Sequence, residues 1–225
     1  MIIVTGASRG LGRAICERLM SKGIEPFGIA RSFDTVPFDN ACADVSSYDD
    51  LKSIAKDLRK RKVKIDGLIN AAGIASMNLA VLTPKHVTQN IVNTNLLGTI
   101  YSCQVFAPLM IRQRKGAIIN FSTIAVALGL KGESVYAASK AGVEGFTKAF
   151  AREMSDFDIR ANCIAPGPID TSLLKGITRE QIGNIVRQQV IPKQFTPDAV
   201  CDLVDILLDD KSSSISGQTL NIGGV

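Results

Sequence analysis

The sequence predicts a single-domain α/β fold over residues 1–225: a doubly wound parallel sheet of about seven strands with helices on both faces. Three observations carry that expectation. Short apolar, β-branched runs alternate with longer segments of helical period, the pattern of βαβ units. The first run, Ile2 to Val4, leads at once into a glycine-rich turn and an amphipathic helix. A chain of 225 residues fills one such core and is too short for two full domains.

The elements follow in order. Strands are expected near Ile2–Thr5, Ile24–Ala30, Cys42–Asp44, Ile65–Asn70, Gly116–Ser122, Ile159–Ala165 and Gln218–Ile222, where apolar runs are short. Helices are expected near Gly10–Lys22, Ser46–Arg61, Pro84–Arg112, Val135–Ser155 and Pro197–Leu208, where the period lengthens. Only Ser32 to Ala41 joins the second and third strands, with Pro37 in the middle. A crossover helix normally needs a dozen or more residues, so that helix is expected to be absent or reduced to a turn.

Composition narrows the function. No window approaches ~18 consecutive apolar residues, and the first strand ends too soon for a signal segment, so no membrane association is expected. The five cysteines, Cys16, Cys42, Cys103, Cys163 and Cys201, have no paired spacing, and four of them sit in segments patterned as helix or strand, which fits buried free thiols in a reducing, cytoplasmic setting. A net charge of +5 is mild and its basic residues are spread along the chain, which argues against nucleic acid. The single histidine, His86, reads as a surface residue on a helix after Pro84 and leaves no basis for zinc or His-dependent hydrolytic chemistry. No metal site is expected.

Two motifs carry chemistry. Thr5-Gly6-Ala7-Ser8-Arg9-Gly10-Leu11-Gly12 is a glycine-rich strand-to-helix turn whose backbone amides can cradle a pyrophosphate. Tyr136-Ala-Ala-Ser-Lys140 puts a phenol and an ammonium four residues apart on one helix face. Together they point to hydride transfer to or from a carbonyl. In both motifs, and over essentially its whole length, the chain resembles the short-chain dehydrogenase/reductase family, whose members have a Rossmann fold.

The resemblance implies further contacts. Asn70-Ala71-Ala72-Gly73 would shape the wall near the adenine-side ribose, Asp44-Val45 would meet the adenine, and Pro166-Gly167-Pro168-Ile169-Asp170-Thr171 would hold the nicotinamide carboxamide. The choice of cofactor rests on the end of the second strand. An NAD site places an acid there for the ribose 2′-hydroxyl. This chain has Arg31-Ser32, with Ser8-Arg9 in the glycine turn. Two guanidiniums and two hydroxyls suit a 2′-phosphate, so NADP(H) is the expected cofactor.

Tyr136 is the expected proton donor. Its phenol, with an ordinary pKa near 10, needs the neighbouring positive charge of Lys140 to give up a proton near neutrality. In the family the lysine also bonds the nicotinamide ribose, and a serine stands thirteen residues before the tyrosine. Here that position is Thr123, preceded by Ser122. Threonine keeps the hydroxyl, so Thr123 is preferred over Ser122 for binding the carbonyl. Asn95 stands 136 − 95 = 41 residues before the tyrosine, where the family's asparagine holds a water for the proton relay.

Ser172 to Gln194 is expected to form a mobile substrate lid over the site, apolar with a basic surplus. By overall pattern the chain is most similar to 3-oxoacyl-(acyl-carrier-protein) reductases, which implies a carrier-bound 3-oxoacyl thioester. Arg114 matches a basic carrier-docking position, but Ser155-Asp156-Phe157-Asp158 replaces another with acid. A sugar, polyol or other small carbonyl compound is the alternative substrate. A nucleotide-sugar epimerase would need a large C-terminal domain for which no residues remain, and a non-catalytic NADP-binding regulator would not need Tyr136, Lys140 and Asn95. Small and apolar residues almost all round the tyrosine helix imply a further partner; in the family that partner is the same helix of a second subunit, so the resemblance implies a homodimer or homotetramer.

Overall fold

Seven parallel strands form one sheet in the order β3-β2-β1-β4-β5-β6-β7. They are β1 (Ile2–Thr5), β2 (Pro26–Ala30), β3 (Asp39–Cys42), β4 (Gly67–Asn70), β5 (Gly116–Phe121), β6 (Ile159–Pro166) and β7 (Thr219–Ile222). The computed structural model describes residues 1–171 and 177–225.

Side-chain alternation along the strands sends Ile2 and Val4 to one face and Ile3 to the other, into two separate apolar layers. Helices α1 (Gly10–Ser21) and α8 (Pro197–Leu208) cover the first face through Ile15, Leu19, Val200 and Val204. Helices α2 (Tyr48–Lys60), α4 (Gly98–Ile111) and α6 (Ser134–Ser155) cover the second through Leu51, Leu58, Phe106 and Phe150. The buried strands read as nearly continuous apolar runs because both faces are covered.

No helix joins β2 to β3. Phe38 lies across the uncovered patch instead, its ring against Gly28 and Ala7, with Phe33 edge-on to it at 6.3 Å and 82°. A side chain at position 28 would collide with that ring. Beneath the link lies a cavity of about 490 Å³, lined in part by Met1, Met20, Ile24, Pro37 and Phe38.

Several boundaries differ from expectation. The third strand is Asp39–Cys42 rather than Cys42–Asp44. It is a largely exposed edge whose Asp-Asn-Ala-Cys sequence has no apolar alternation, and the short link starts it directly after Phe38. The second strand begins at Pro26, not Ile24, as a proline without an N–H prefers. The long helix expected over Pro84–Arg112 is α3 (Lys85–Val92) and α4 joined by a π-helical turn, Asn93–Leu97. Two helices were not anticipated: the short α5 (Ala125–Leu128) and α7 (Arg179–Arg187). The second lies inside the segment expected to be a lid, and carries a Thr178–Gln181 capping box. Of that segment, residues 172–176 lie outside the described residues.

Candidate active site

The expected site residues stand at or just after the carboxyl end of a strand or on a helix beside those ends, the place where open parallel sheets bind ligands. The turn from β1 to α1 is tightly built. Gly6 has φ +70°, and a Cβ on it would stand 2.8 Å from Ala72, so the turn is pressed against the Ala71–Ala72 bend. A Cβ on Gly12 would collide with the Gly6 carbonyl. Thr5 Oγ1 accepts from Ala72 N at 3.2 Å and ties the two loops together. Arg9 precedes the helix without a side-chain cap, and the first turn of α1 has no acid. The leading amides of α1 therefore face Ser8, Arg9 and Gly10 with the positive end of the helix behind them. Glycine at 6 and 12 thus lets the turn close tightly on itself and on Ala72, and unpartnered leading amides at a helix N-terminus suit an anionic pyrophosphate.

Arg31 and Ser32 directly follow β2 and are exposed. Burial pushes Asp44 upward, but hydrogen bonds from Ser46 and the Arg31 charge outweigh it and hold that carboxyl below its usual range. Asp44 Oδ1 accepts from Ser46 N at 2.9 Å and Ser46 Oγ at 2.7 Å. The Val45 side chain is packed on Gly98 at the head of α4. Asn70 turns its side chain into the core, donating to Asn120 Oδ1 at 2.8 Å, while Asn120 donates to Thr147 Oγ1 at 2.8 Å. This buried polar ladder joins β4, β5 and α6. Its signal was visible as an asparagine inside the apolar run Gly116–Phe121.

Asn95 occupies the π-helical turn and is fully buried. Its Oδ1 accepts from Ile74 N at 2.9 Å, and its Nδ2 donates to Ile74 O at 2.9 Å and to Ser139 Oγ at 3.1 Å. One side chain thus clamps the loop after β4 to α6. Gly73 lies between Asn95 Oδ1 and Lys140 Nζ, which a Cβ there would meet at 3.3 and 3.5 Å.

Tyr136 and Lys140 are both buried, one helical turn apart on α6. Lys140 Nζ donates to Phe121 O at 2.8 Å, leaving two of its three N–H donors unused by that bond. Burial pulls its pKa down from 10.5 to about 8. Burial and the Glu133 charge push the Tyr136 phenol well above 10, while hydrogen bonding with the Thr123 hydroxyl opposes them. Thr123 Oγ1 also accepts from Ala125 N at 3.2 Å. Ser122 turns elsewhere, donating to Glu144 Oε1 at 2.5 Å. The two neighbouring hydroxyls therefore turn to different partners, Ser122 to Glu144 and Thr123 to Ala125 N and the side of the phenol.

Past β6, Ile169 forms an isolated parallel bridge with Phe195, and Gly167 N donates to Ile222 O at 3.2 Å. Gln189, just beyond α7, is buried and wedged against Gly167 and Gly223. Its Nε2 donates to Lys193 O at 2.9 Å, while its Oε1 has no conventional donor among the described residues. Gln189, Glu133 and Glu144 carry no motif and were not singled out from the sequence, and Ser139, inside the Tyr136–Lys140 motif, was given no role there.

Comparisons with known proteins agree with this arrangement. The short chain dehydrogenase family matches residues 1–182. The 3-oxoacyl-(acyl-carrier-protein) reductase FabG of Staphylococcus epidermidis is 32% identical, the match covering 99% of this chain and 96% of that protein. The enzyme of that name from Salmonella typhimurium is 30% identical over 99% of this chain and 95% of its own. Among solved structures, Thermoplasma acidophilum aldohexose dehydrogenase superposes with a TM-score of 0.90 at 29% identity, covering 99% of this chain and 92% of that one. With the family match running through both motifs and the relatives spanning nearly their full length, the chain belongs to the short-chain dehydrogenase family of oxidoreductases.

Proposed function

We propose that the protein is an NADP(H)-dependent oxidoreductase transferring hydride between the nicotinamide and a carbonyl or hydroxyl substrate. The observation that carries this reading is the convergence of Thr123, Tyr136 and Lys140, all at the carboxyl end of β5 and on the facing turn of α6. When bound, the nicotinamide supplies or accepts the hydride. Gly6, Gly10, Leu11 and Gly12 would hold its pyrophosphate. Ser8, Arg9, Arg31 and Ser32 would hold a 2′-phosphate. Asp44, Val45 and Asn70 to Gly73 would line the adenine side, and Pro166, Gly167, Ile169 and Thr171 the nicotinamide.

The chain's own residues handle the proton and the charge. Thr123 donates to the substrate oxygen and positions it beside the phenol. Tyr136 gives its proton to that oxygen during reduction. Lys140, mostly protonated at neutral pH with a pKa of about 8, stabilises the phenolate left behind. Asn95 fixes the backbone around Gly73 and Ile74, so that the lysine and the cofactor side of the site keep their spacing.

The relatives' names favour a carrier-bound 3-oxoacyl thioester. One observation favours the second reading, a sugar, polyol or other small carbonyl compound. Arg114, the carrier-docking match, donates to Asp156 O at 2.9 Å and pairs with Asp158 at 3.7 Å. It lies before β5, while Thr123 follows that strand, six residues long, so Arg114 is at the far end of the sheet from its own active site.

We also propose self-association through α6, whose outer side exposes Ala138, Ala141, Gly145 and Ala149. Light scattering should give at least twice 24.0 kDa. All five cysteines are free, which supports a reducing compartment such as the cytoplasm.

NADPH oxidation with acyl thioesters, keto-sugars and small ketones tests the function. Tyr136→Phe should lose about 10²–10⁴ in turnover yet still bind NADPH. Lys140→Met should lose cofactor affinity as well. Near-normal turnover by Tyr136→Phe would overturn the mechanism.

A further inference from the structure

Glu133 is a buried acid that the proposed mechanism does not use. It directly precedes α6, one helical turn before Tyr136, and is 9% exposed. Its carboxylate makes no hydrogen bond or ion pair among the described residues, although its main chain is held by Leu130 O and Ala137 N. Three positions ahead of Tyr136 at the start of α6, Glu133 lies on the same side of the helix as the phenol, and its charge acts on that phenol. The preceding residue is pinned too: Gly132 O accepts from Asn78 N at 2.8 Å. Glu133 therefore sits on backbone fixed from both sides.

Such a group is open to a ligand that can complete it. An ionised carboxylate only accepts hydrogen bonds, and one largely withdrawn from water without protein donors gains from a ligand that donates to it. Burial does raise the Glu133 pKa. A 3-oxoacyl thioester presents carbonyl oxygens and methylenes around its reacting carbon, none of which donates. A sugar or polyol presents hydroxyls on the neighbouring carbons. We propose that Glu133 binds the substrate by accepting hydrogen bonds from a hydroxyl adjacent to the reacting carbon, and so selects polyhydroxylated carbonyl and alcohol substrates over acyl thioesters.

The proposal rests on the oxidoreductase reading above and adds a coupling to it. Ionised Glu133 opposes phenolate formation at Tyr136 by like-charge repulsion. A substrate hydroxyl donating to Glu133 disperses that charge. The substrate that carries the hydroxyl therefore eases proton release in the step it undergoes, while one without it meets the repulsion in full.

The test compares each of several aldoses and polyols with its analogue lacking the adjacent hydroxyl, together with a 3-oxoacyl thioester of N-acetylcysteamine. Wild type, Glu133→Gln and Glu133→Ala are assayed with NADPH or NADP+. The wild type should prefer the hydroxylated compound in kcat/KM by at least about tenfold, the scale of a hydrogen bond to a charged group. Glu133→Ala should lose most of that preference. Glu133→Gln should keep part of it, and the alkaline limb of its pH profile should move to lower pH as the repulsion on Tyr136 disappears. A purely structural residue would lower all substrates together and leave the ratio unchanged.

An unchanged hydroxyl-to-deoxy ratio in both variants overturns the proposal, as does a wild type that prefers the thioester. An amino substituent replacing the hydroxyl with equal effect would also overturn it, since the site would then be reading positive charge. These failures leave the oxidoreductase reading intact, because that reading stands or falls on Tyr136→Phe. Turnover of none of the compounds overturns both.

Discussion

The carboxamide of Gln189 stands where a side chain on Gly167 would have to go. The pair joins the segment beyond α7 to the loop that follows β6. Gln189 Oε1 has no N–H or O–H donor among the described residues, and its contact with the glycine Cα of Gly167 supplies a weak C–H···O interaction. Gly167→Ala should therefore force Gln189 out of its slot and cost about 1–3 kcal/mol, as overpacking does. Adding Gln189→Ala should recover part of the loss, and urea unfolding of both single variants and the double would reveal the coupling. Strictly additive effects would mean the two residues do not share the space.

Threonine and serine at 123 should be interchangeable. Thr123→Ser is expected to keep most turnover because the hydroxyl remains, whereas Thr123→Val keeps the shape and should lose most of it. Ser122→Ala removes only the bond to Glu144 and should affect stability more than kcat. Steady-state kinetics on the three variants decides this. A severe Ser122→Ala beside a mild Thr123→Val would transfer the carbonyl to Ser122.

Cofactor preference should follow Arg31. Hydrogen bonds to charged groups contribute about 1.5–3 kcal/mol, or roughly ten- to a hundredfold in affinity. Arg31→Asp should weaken NADPH by at least that factor and narrow its advantage over NADH, read by fluorescence titration. Equal affinity of the unmodified protein for both cofactors would contradict the assignment.

Stability should peak a little above pH 8. Burial raises Cys16, Cys103 and Cys163 from 9.0 to about 12, and Cys201 to about 11. Above pH 9 the unfolded chain releases these four protons while the folded chain keeps them, so stability falls as pH rises. Lys140 acts oppositely. Between about 8 and 10.5 the unfolded lysine keeps a proton that the folded one has lost, so its contribution rises with pH. The Tyr136 phenol, also raised by burial, acts in the same sense as the cysteines, and the net near pH 10 is a fall of about 4 kcal/mol per pH unit. Urea unfolding under reducing conditions at pH 7.5, 9 and 10 checks it, and a free energy still rising at pH 10 would refute it.

Much of this molecule was legible because its signals are local. The strand-turn-helix at Thr5–Gly12 and the Tyr136–Lys140 pair each lie within one helical turn or one loop, and the missing crossover helix follows from the length of 32–41 alone. What escaped depends on distant partners. Asn95 looked like a poor helix residue, but nothing nearby revealed that its bonds go to Ile74 and Ser139. Helix α7 was hidden because its apolar and basic residues also suit a lid, and β3 because an exposed edge strand needs no alternating pattern. Glu133 differs from any surface glutamate only through burial, which no neighbour in sequence records.

The Phe38 plug at the short β2–β3 link has a dynamic consequence. Strand β3 bonds a single neighbour and is largely exposed, held besides by Phe38 ahead of it and the exposed Arg61–Asp39 ion pair, so it is the strand that can leave the sheet at least cost. Its amides should exchange with solvent fastest of the seven, which hydrogen-exchange mass spectrometry would resolve. Asp44 and Val45 follow directly behind it. Any ligand that grips them drains the opened population, so that edge order and ligand affinity become two readings of one linked equilibrium.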